Sequence, residues 1–140
     1  MATTVYLIGS LRNPAVPAVA RVLRGDGHDV YDEWFAAGPR ADDTWRAYEK
    51  SRGHSAVEAY HSWHAQAVFN ADKRHLDRCD VGVLLMPAGK SGHLELGYMA
   101  GQGKRTYVLL TKDPDRYDVM YRFTNGVFLD LKALRKELAT

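Results

Sequence analysis

Short apolar runs alternate with amphipathic stretches along this chain. Residues 5–9 (VYLIG) read as a buried strand closing on a tight turn. Val16, Val19, Val22 and Leu23 then recur at helical spacing, with Pro14 placed to begin the helix and Gly25 and Gly27 placed to end it. Residues 28–31 form a second short strand. The strongest strand signal is residues 80–86 (DVGVLLM). A loop, PAGKSGH, leads from it into a helix at about residues 92–102, which Gly101 and Gly103 end. Residues 106–110 (TYVLL) are the next strand, residues 127–129 a last short one, and a terminal helix begins at about Leu131. A strand–helix–strand opening requires a crossover and hence parallel pairing. The order of elements predicts an α/β fold: a flavodoxin-like, doubly wound sheet of five parallel strands, order 2-1-3-4-5, in three α/β/α layers.

Residues 36–66 break this rhythm. They are polar and aromatic, with Gly38-Pro39, Trp45, Tyr48, Tyr60 and Trp63, and they contain His54, His61 and His64. The stretch is too short for a core of its own, so it reads as a helical insertion or lid within one domain spanning residues 1–140. Residues 65–78 continue as an amphipathic helix that leads into the third strand.

Composition narrows the functional classes. The 140 residues carry a net charge of +2 with the basic side chains scattered, which argues against a groove for a nucleic-acid polymer. Small anionic ligands stay open, because one or two placed arginines suffice for them. The single cysteine, Cys79, borders an apolar run and reads as a small buried residue. No apolar run approaches the roughly 20 residues of a membrane span, and no signal peptide is evident, so a cytoplasmic protein is the expectation.

In doubly wound sheets ligands bind beyond the carboxyl ends of the strands, near the switch point. Two loops leave those ends side by side: Gly9-Ser10-Leu11-Arg12 and residues 88–93. Glu95 is expected in the first turn of the following helix, where the dipole favours an ionised carboxylate. Leu94, Leu96 and Met99 are expected to face the core, with Gly92 and Gly97 permitting close backbone approach. Asp72, His75, Leu76 and Cys79 share one helix face. A carboxylate on such an inward face is either paired or functional. Tyr6 lies on the first strand, where its hydroxyl needs a partner. Ser10 and Arg12 could hold an anion, and Ser91 with Gly92 offers a second small loop, in which Ser91 reads also as a helix N-cap. His61 and His64 form an i, i+3 pair on an expected helix, but no ligand pattern joins them to a metal site. Trp34, Trp45, Trp63 and the lid tyrosines could stack on a base or simply pack the lid.

Three segments together, VYLIGSLR at 5–12, NADKRHLDRCDVGVLLMP at 70–87 and SGHLELGYMAGQGKRTYVLL at 91–110, resemble the nucleoside 2-deoxyribosyltransferase superfamily, which includes 2′-deoxynucleoside 5′-monophosphate N-glycosidases and CMP N-glycosidases. The resemblance implies that Glu95 is the nucleophile, Asp72 the assisting acid and Tyr6 the residue that holds Glu95. It implies that Gly9, Ser10 and Arg12 bind a 5′-phosphate, with Ser91 and Gly92 in the neighbouring loop. It further implies a homodimer or higher homo-oligomer, with Asn125 as the candidate residue contributed by a neighbouring subunit. The substrate would be a small nucleotide or nucleoside, with no metal or organic cofactor. Base exchange between deoxynucleosides, or nucleotide binding without catalysis, are the alternative readings.

Overall fold

The computed structural model describes residues 3–140. Five parallel strands, β1 (Thr4–Ile8), β2 (Asp29–Tyr31), β3 (Val81–Leu85), β4 (Arg105–Leu109) and β5 (Gly126–Phe128), form one sheet in the order β2-β1-β3-β4-β5. The connections are helical: α1 (Val16–Gly25), α2 (Ala41–Ser51), α3 (Ala56–Tyr60), α4 (Trp63–Arg78), α5 (Lys90–Gly101) and α6 (Leu131–Leu138). The expected α/β architecture and strand order are both observed, with strand ends displaced by about one residue.

The sheet is buried on both faces, which is why its strands are continuous apolar runs. Alternation along them still decides which layer each side chain joins. Val5, Leu7, Val83, Leu85, Tyr107 and Leu109 pack under α1 and α6. Tyr6, Ile8, Leu84 and Val108 point the other way, onto Leu76 and Cys79 at the end of α4 and Leu96 and Met99 of α5. Gly82 leaves room for this second layer: a Cβ there would lie 2.7 Å from the Met99 sulfur. Cys79 is buried and unpaired, as its apolar neighbours predict.

Several local expectations are corrected. Helix α1 begins at Val16 rather than Pro14, and Pro17 occupies its first turn. Asn13 shapes the turn before it by accepting a hydrogen bond from the Ala15 N–H (3.0 Å), as an Asn-Pro turn allows. Residues 36–66 are helical, but in pieces: a 3-10 turn at Glu33–Ala37, then α2, α3 and the start of α4. Glu49 of α2 is almost fully buried and is bonded by His54 Nδ1 at 2.5 Å. Ser55 and Glu58 close a reciprocal cap at the start of α3. His61 and His64 do not share a helix. His61 caps the end of α3, whereas His64 lies in α4 beyond the Ser62 N-cap.

Candidate active site

A cleft of about 1280 Å³ lies beyond the carboxyl ends of β1 and β3, roofed by the 3-10 turn, α2 and α4. Tyr6, Asp72 and Glu95 line its floor. Gly9, Ser10 and Arg12 border one side, with Ser91 and Gly92 beside them at the start of α5. Eight of the nine residues singled out in the sequence therefore meet in one cavity. The ninth, Asn125, does not. It stands at the amino end of β5, where it accepts from the Thr106 N–H (3.0 Å) and donates its own N–H to the Thr106 carbonyl. In its own chain that is the edge of the sheet opposite the cleft.

The environment of Glu95 differs from the one its sequence position suggests. Helix α5 starts two residues early, at Lys90, so Glu95 falls in its second turn. There the backbone N–H groups are already engaged within the helix, and the dipole has little hold on a carboxylate. Burial dominates instead: it pushes the Glu95 carboxyl up to about 7, with the nearby Asp72 charge acting in the same direction. The opposing influence is Tyr6, whose hydroxyl donates to Glu95 Oε2 at 2.9 Å. Tyr6 is itself sealed, 1% exposed, and burial with the Glu95 charge drives its own pKa far up. It is therefore a permanent donor. Burial also raises Asp72, with the Tyr31 hydroxyl acting in the opposite direction.

Two glycines behave unlike each other. A Cβ at Gly92 would lie 3.0 Å from Leu84 Cδ1 and 3.3 Å from Ile8 Cγ2, so α5 enters in direct contact with the sheet. Gly97 faces open space, and close approach at that residue is not observed. Leu94 is likewise exposed rather than in the core, leaving Leu96 and Met99 to hold α5 on the sheet. The α5 N-cap is Gly89, not Ser91, and no side chain caps the helix. The first N–H groups of α5 have no partner within the helix and lie at the cleft rim.

The loops at the cleft rim are ordered by local contacts. Ser10 Oγ accepts from the Arg12 N–H (3.1 Å), closing the turn. The Arg12 guanidinium is engaged by Asp43 of α2 at 2.8 Å, with both side chains well exposed. A Cβ at Gly9 would make only ordinary contact with Val16 (3.4 Å) and the Trp34 ring (3.6 Å). Trp34 donates its indole N–H to the Leu7 carbonyl (2.9 Å) and lines the cleft, as does Trp45. Trp63 points to solvent, 84% exposed, and takes no part in the cleft.

Sequence reasoning did not single out Tyr31, Asn13 or Lys90. Lys90 opens α5 at the cleft rim. Asn13 was legible as an Asn-Pro turn, but its link to the Met86 carbonyl (3.5 Å) depends on the tertiary fold. His75 is stacked on Tyr31 and accepts from Arg78 Nε (2.8 Å), so it is a satisfied structural histidine. Among the described residues no group of three or more His, Cys, Asp or Glu side chains is placed to hold a metal ion, and no helix is long and apolar enough to cross a membrane.

The sheet order and the position of the cleft define a flavodoxin-like α/β protein with a carboxylate pair at its carboxyl edge. The chain is similar in structure to a CMP N-glycosidase, BcmB, from Clostridium botulinum, with a TM-score of 0.59 and 14% identity over 98% of this chain and 99% of that one. It is similar also to a 2-deoxyribosyltransferase from the psychrotolerant bacterium Bacillus psychrosaccharolyticus, with a TM-score of 0.63 and 19% identity over 94% and 90% of the two chains. No family model matches the sequence, and no curated protein matches it. At these identities the likeness is one of fold across nearly the whole chain.

Proposed function

We propose that this protein is an N-glycosidase that cleaves the base–sugar bond of a nucleoside 5′-monophosphate through a covalent ribosyl-Glu95 intermediate. The observation that carries the reading is the Tyr6–Glu95 hydrogen bond on the floor of a cleft that also holds Asp72 and, at its rim, Ser10, Arg12 and the start of α5. One end offers a nucleophile and an acid; the other offers donors and a cation for a phosphate. Two structural neighbours of the same fold, an N-glycosidase and a deoxyribosyltransferase by name, support a reaction at the glycosidic bond.

In the first step a Glu95 oxygen attacks C1′ as the C1′–N bond breaks, through an oxocarbenium-like transition state. The bonding pair leaves with the base, which takes a proton from Asp72. In the second step water attacks C1′, the Glu95 carboxylate departs, and the water proton returns to Asp72. The sugar phosphate is released. Glu95 must be ionised to attack and Asp72 protonated to assist, so the two titrate as a coupled pair. The Tyr6 bond favours the ionised form on Glu95. Asp72, raised by burial, retains its proton to higher pH than a free aspartate. The base lies under the aromatic wall of the lid in this reading, near Trp45. Asn125 enters only through a neighbouring copy, because its own chain places it at the amino end of β5.

Base exchange is the second reading, favoured by the deoxyribosyltransferase neighbour. The two differ only in whether water or a second base meets the ribosyl ester. A panel of nucleosides and 5′-monophosphates, incubated with wild type and Glu95→Gln and read for free base by chromatography, tests both. Release without an acceptor base supports hydrolysis. Absence of release from every substrate, with or without acceptor, refutes the reading.

A further inference from the structure

We propose that His93 is a positioning residue that braces the start of α5, and that Tyr121 locks it in the one tautomer able to do so. The proposal rests on the reading of that helix start as the phosphate end of the cleft and names what holds it in place.

The first turn of α5 has no side-chain cap, and its N-cap, Gly89, is the residue type with the least conformational restraint. The Gly89 carbonyl accepts twice from His93. The His93 backbone N–H, one helical turn on, reaches it at 3.3 Å, and the ring Nδ1 reaches it at 2.7 Å. The side chain makes the shorter bond. A carbonyl only accepts, so Nδ1 carries the hydrogen. In the neutral ring Nε2 is then a bare acceptor, and the Tyr121 hydroxyl lies 2.9 Å from it. Tyr121 comes from the 3-10 turn Val119–Phe123, between β4 and β5. Its ring stacks on the imidazole, with centroids 5.7 Å apart and planes 14° from parallel. By donating to Nε2 it fixes the tautomer that serves Gly89. The other acceptor near that hydroxyl is the Met86 sulfur at 3.7 Å, a weak one that leaves the single phenolic hydrogen to the imidazole.

Neither His93 nor Tyr121 lines the cleft, whereas Gly89, Lys90, Ser91 and Gly92 all do. His93 therefore acts through the backbone it holds. Successive helix residues are about 100° apart, so His93 and Glu95 project from nearly opposite sides of α5. Tyr6 of β1 ties Glu95 on one side, and Tyr121 ties His93 on the other. The Tyr6 bond aims the carboxylate. The Tyr121–His93 pair sets where the first N–H groups of α5, free of partners within the helix, point. Loss of the pair should weaken phosphate binding and leave the chemistry at Glu95 nearly intact.

Tyr121→Phe keeps the ring and removes only the hydroxyl; His93→Phe keeps a flat ring and removes both side-chain bonds. Two measurements are independent of turnover. Above the ordinary imidazole range, where the ring is neutral, ¹⁵N NMR of histidine-labelled wild type should show the His93 hydrogen on Nδ1 and none on Nε2. In Tyr121→Phe the Nδ1–H form should be less populated, and the His93 backbone amide should exchange about three- to tenfold faster. Inorganic phosphate should shift the Ser91 and Gly92 amides of wild type, and either variant should weaken that binding by about three- to tenfold. With a 5′-monophosphate that wild type cleaves, KM should rise by a similar factor, while kcat and the KM of the matching nucleoside stay within about twofold. The double variant should be no worse than His93→Phe alone, because the two act as a unit. Hydrogen on Nε2 in wild type, or amide exchange and phosphate binding that neither variant alters, would overturn the proposal. So would equal losses on nucleoside and monophosphate. If phosphate shifts no amide of wild type, the phosphate reading fails by itself, and the tautomer and the amide exchange decide whether His93 braces α5.

Discussion

The Tyr6 hydroxyl and Glu95 Oε2 are 2.9 Å apart, and that bond joins the interior strand β1 to helix α5. It counteracts the burial that otherwise keeps Glu95 protonated. Hydrogen bonds to charged groups contribute more than neutral ones, about 1.5–3 kcal/mol. Their loss here would move both the charge state and the aim of the proposed nucleophile.

Tyr6→Phe is therefore expected to raise the Glu95 pKa above its wild-type position near 7. Base release in wild type should follow a bell-shaped pH profile, its rising limb set by ionisation of Glu95 and its falling limb by loss of the Asp72 proton. In Tyr6→Phe the rising limb should move to higher pH, with the maximum kcat lower by roughly tenfold or more. Steady-state rates from pH 5 to 9 check this. A variant whose profile superimposes on wild type would remove Tyr6 from the mechanism.

Stability carries the same signature. The Glu95 carboxyl has an ordinary value of 4.5 and a folded value of about 7. Between those two pH values the unfolded chain ionises while the folded one resists. Wild type accordingly loses stability as pH rises from about 4.5 to 7 and changes no further from this cause above that. The loss amounts to as much as roughly 3 kcal/mol. Glu95→Gln has no such charge to bury. Denaturant midpoints should show the variant more stable than wild type at pH 8, with the difference shrinking toward pH 4. A constant difference across that range would mean that Glu95 is not desolvated.

Some of this was readable in the sequence and some was not. Apolar run length and flanking glycines gave the five strands, because a doubly covered sheet leaves no other use for VYLIG or DVGVLLM. Gly9, Ser10, Arg12, Asp72 and Glu95 were legible because strand ends place them and residue type limits what they can do. The charge state of Glu95 was not. It depends on how deeply α5 is seated on Ile8 and Leu84, and on a helix start two residues earlier than the glycines suggest. The Tyr31 contacts were hidden for the same reason: its ring meets Tyr6 and His75 only when β2 pairs with β1 and α4 crosses beside it. The lid pieces escaped too, because the Glu49–His54 contact has no periodic signal.

The two glycines of α5 should respond oppositely to alanine. At position 92 the new methyl meets Leu84 and Ile8, both fully buried. Overpacking of that kind costs about 1–3 kcal/mol, against up to about 1 kcal/mol gained in helix propensity. Gly92→Ala should be net destabilising and should also displace the α5 start, raising KM for monophosphates. Gly97 faces open space, so Gly97→Ala should stabilise by up to about 1 kcal/mol. Thermal unfolding of the two variants makes the comparison. Equal effects would mean that α5 is not seated on the sheet through Gly92.

Arg12 is held by Asp43 across 2.8 Å, and under the proposed function a substrate phosphate competes for the same guanidinium. The pair is well exposed, with 66% and 62% of the side chains accessible, so it is worth no more than about 1 kcal/mol. Asp43→Asn frees Arg12 and removes a negative charge from the phosphate side of the cleft. KM for a 5′-monophosphate should then fall by roughly two- to fivefold, while KM for the matching nucleoside stays unchanged. Added salt should shrink the difference, because exposed charges are screened. Arg12→Ala should act in the opposite direction, weakening monophosphates far more than nucleosides. Measuring both substrates for both variants separates a phosphate site from a lid contact. If Arg12 serves only to anchor α2, its loss affects nucleoside and nucleotide alike, and Asp43→Asn weakens both instead of favouring one.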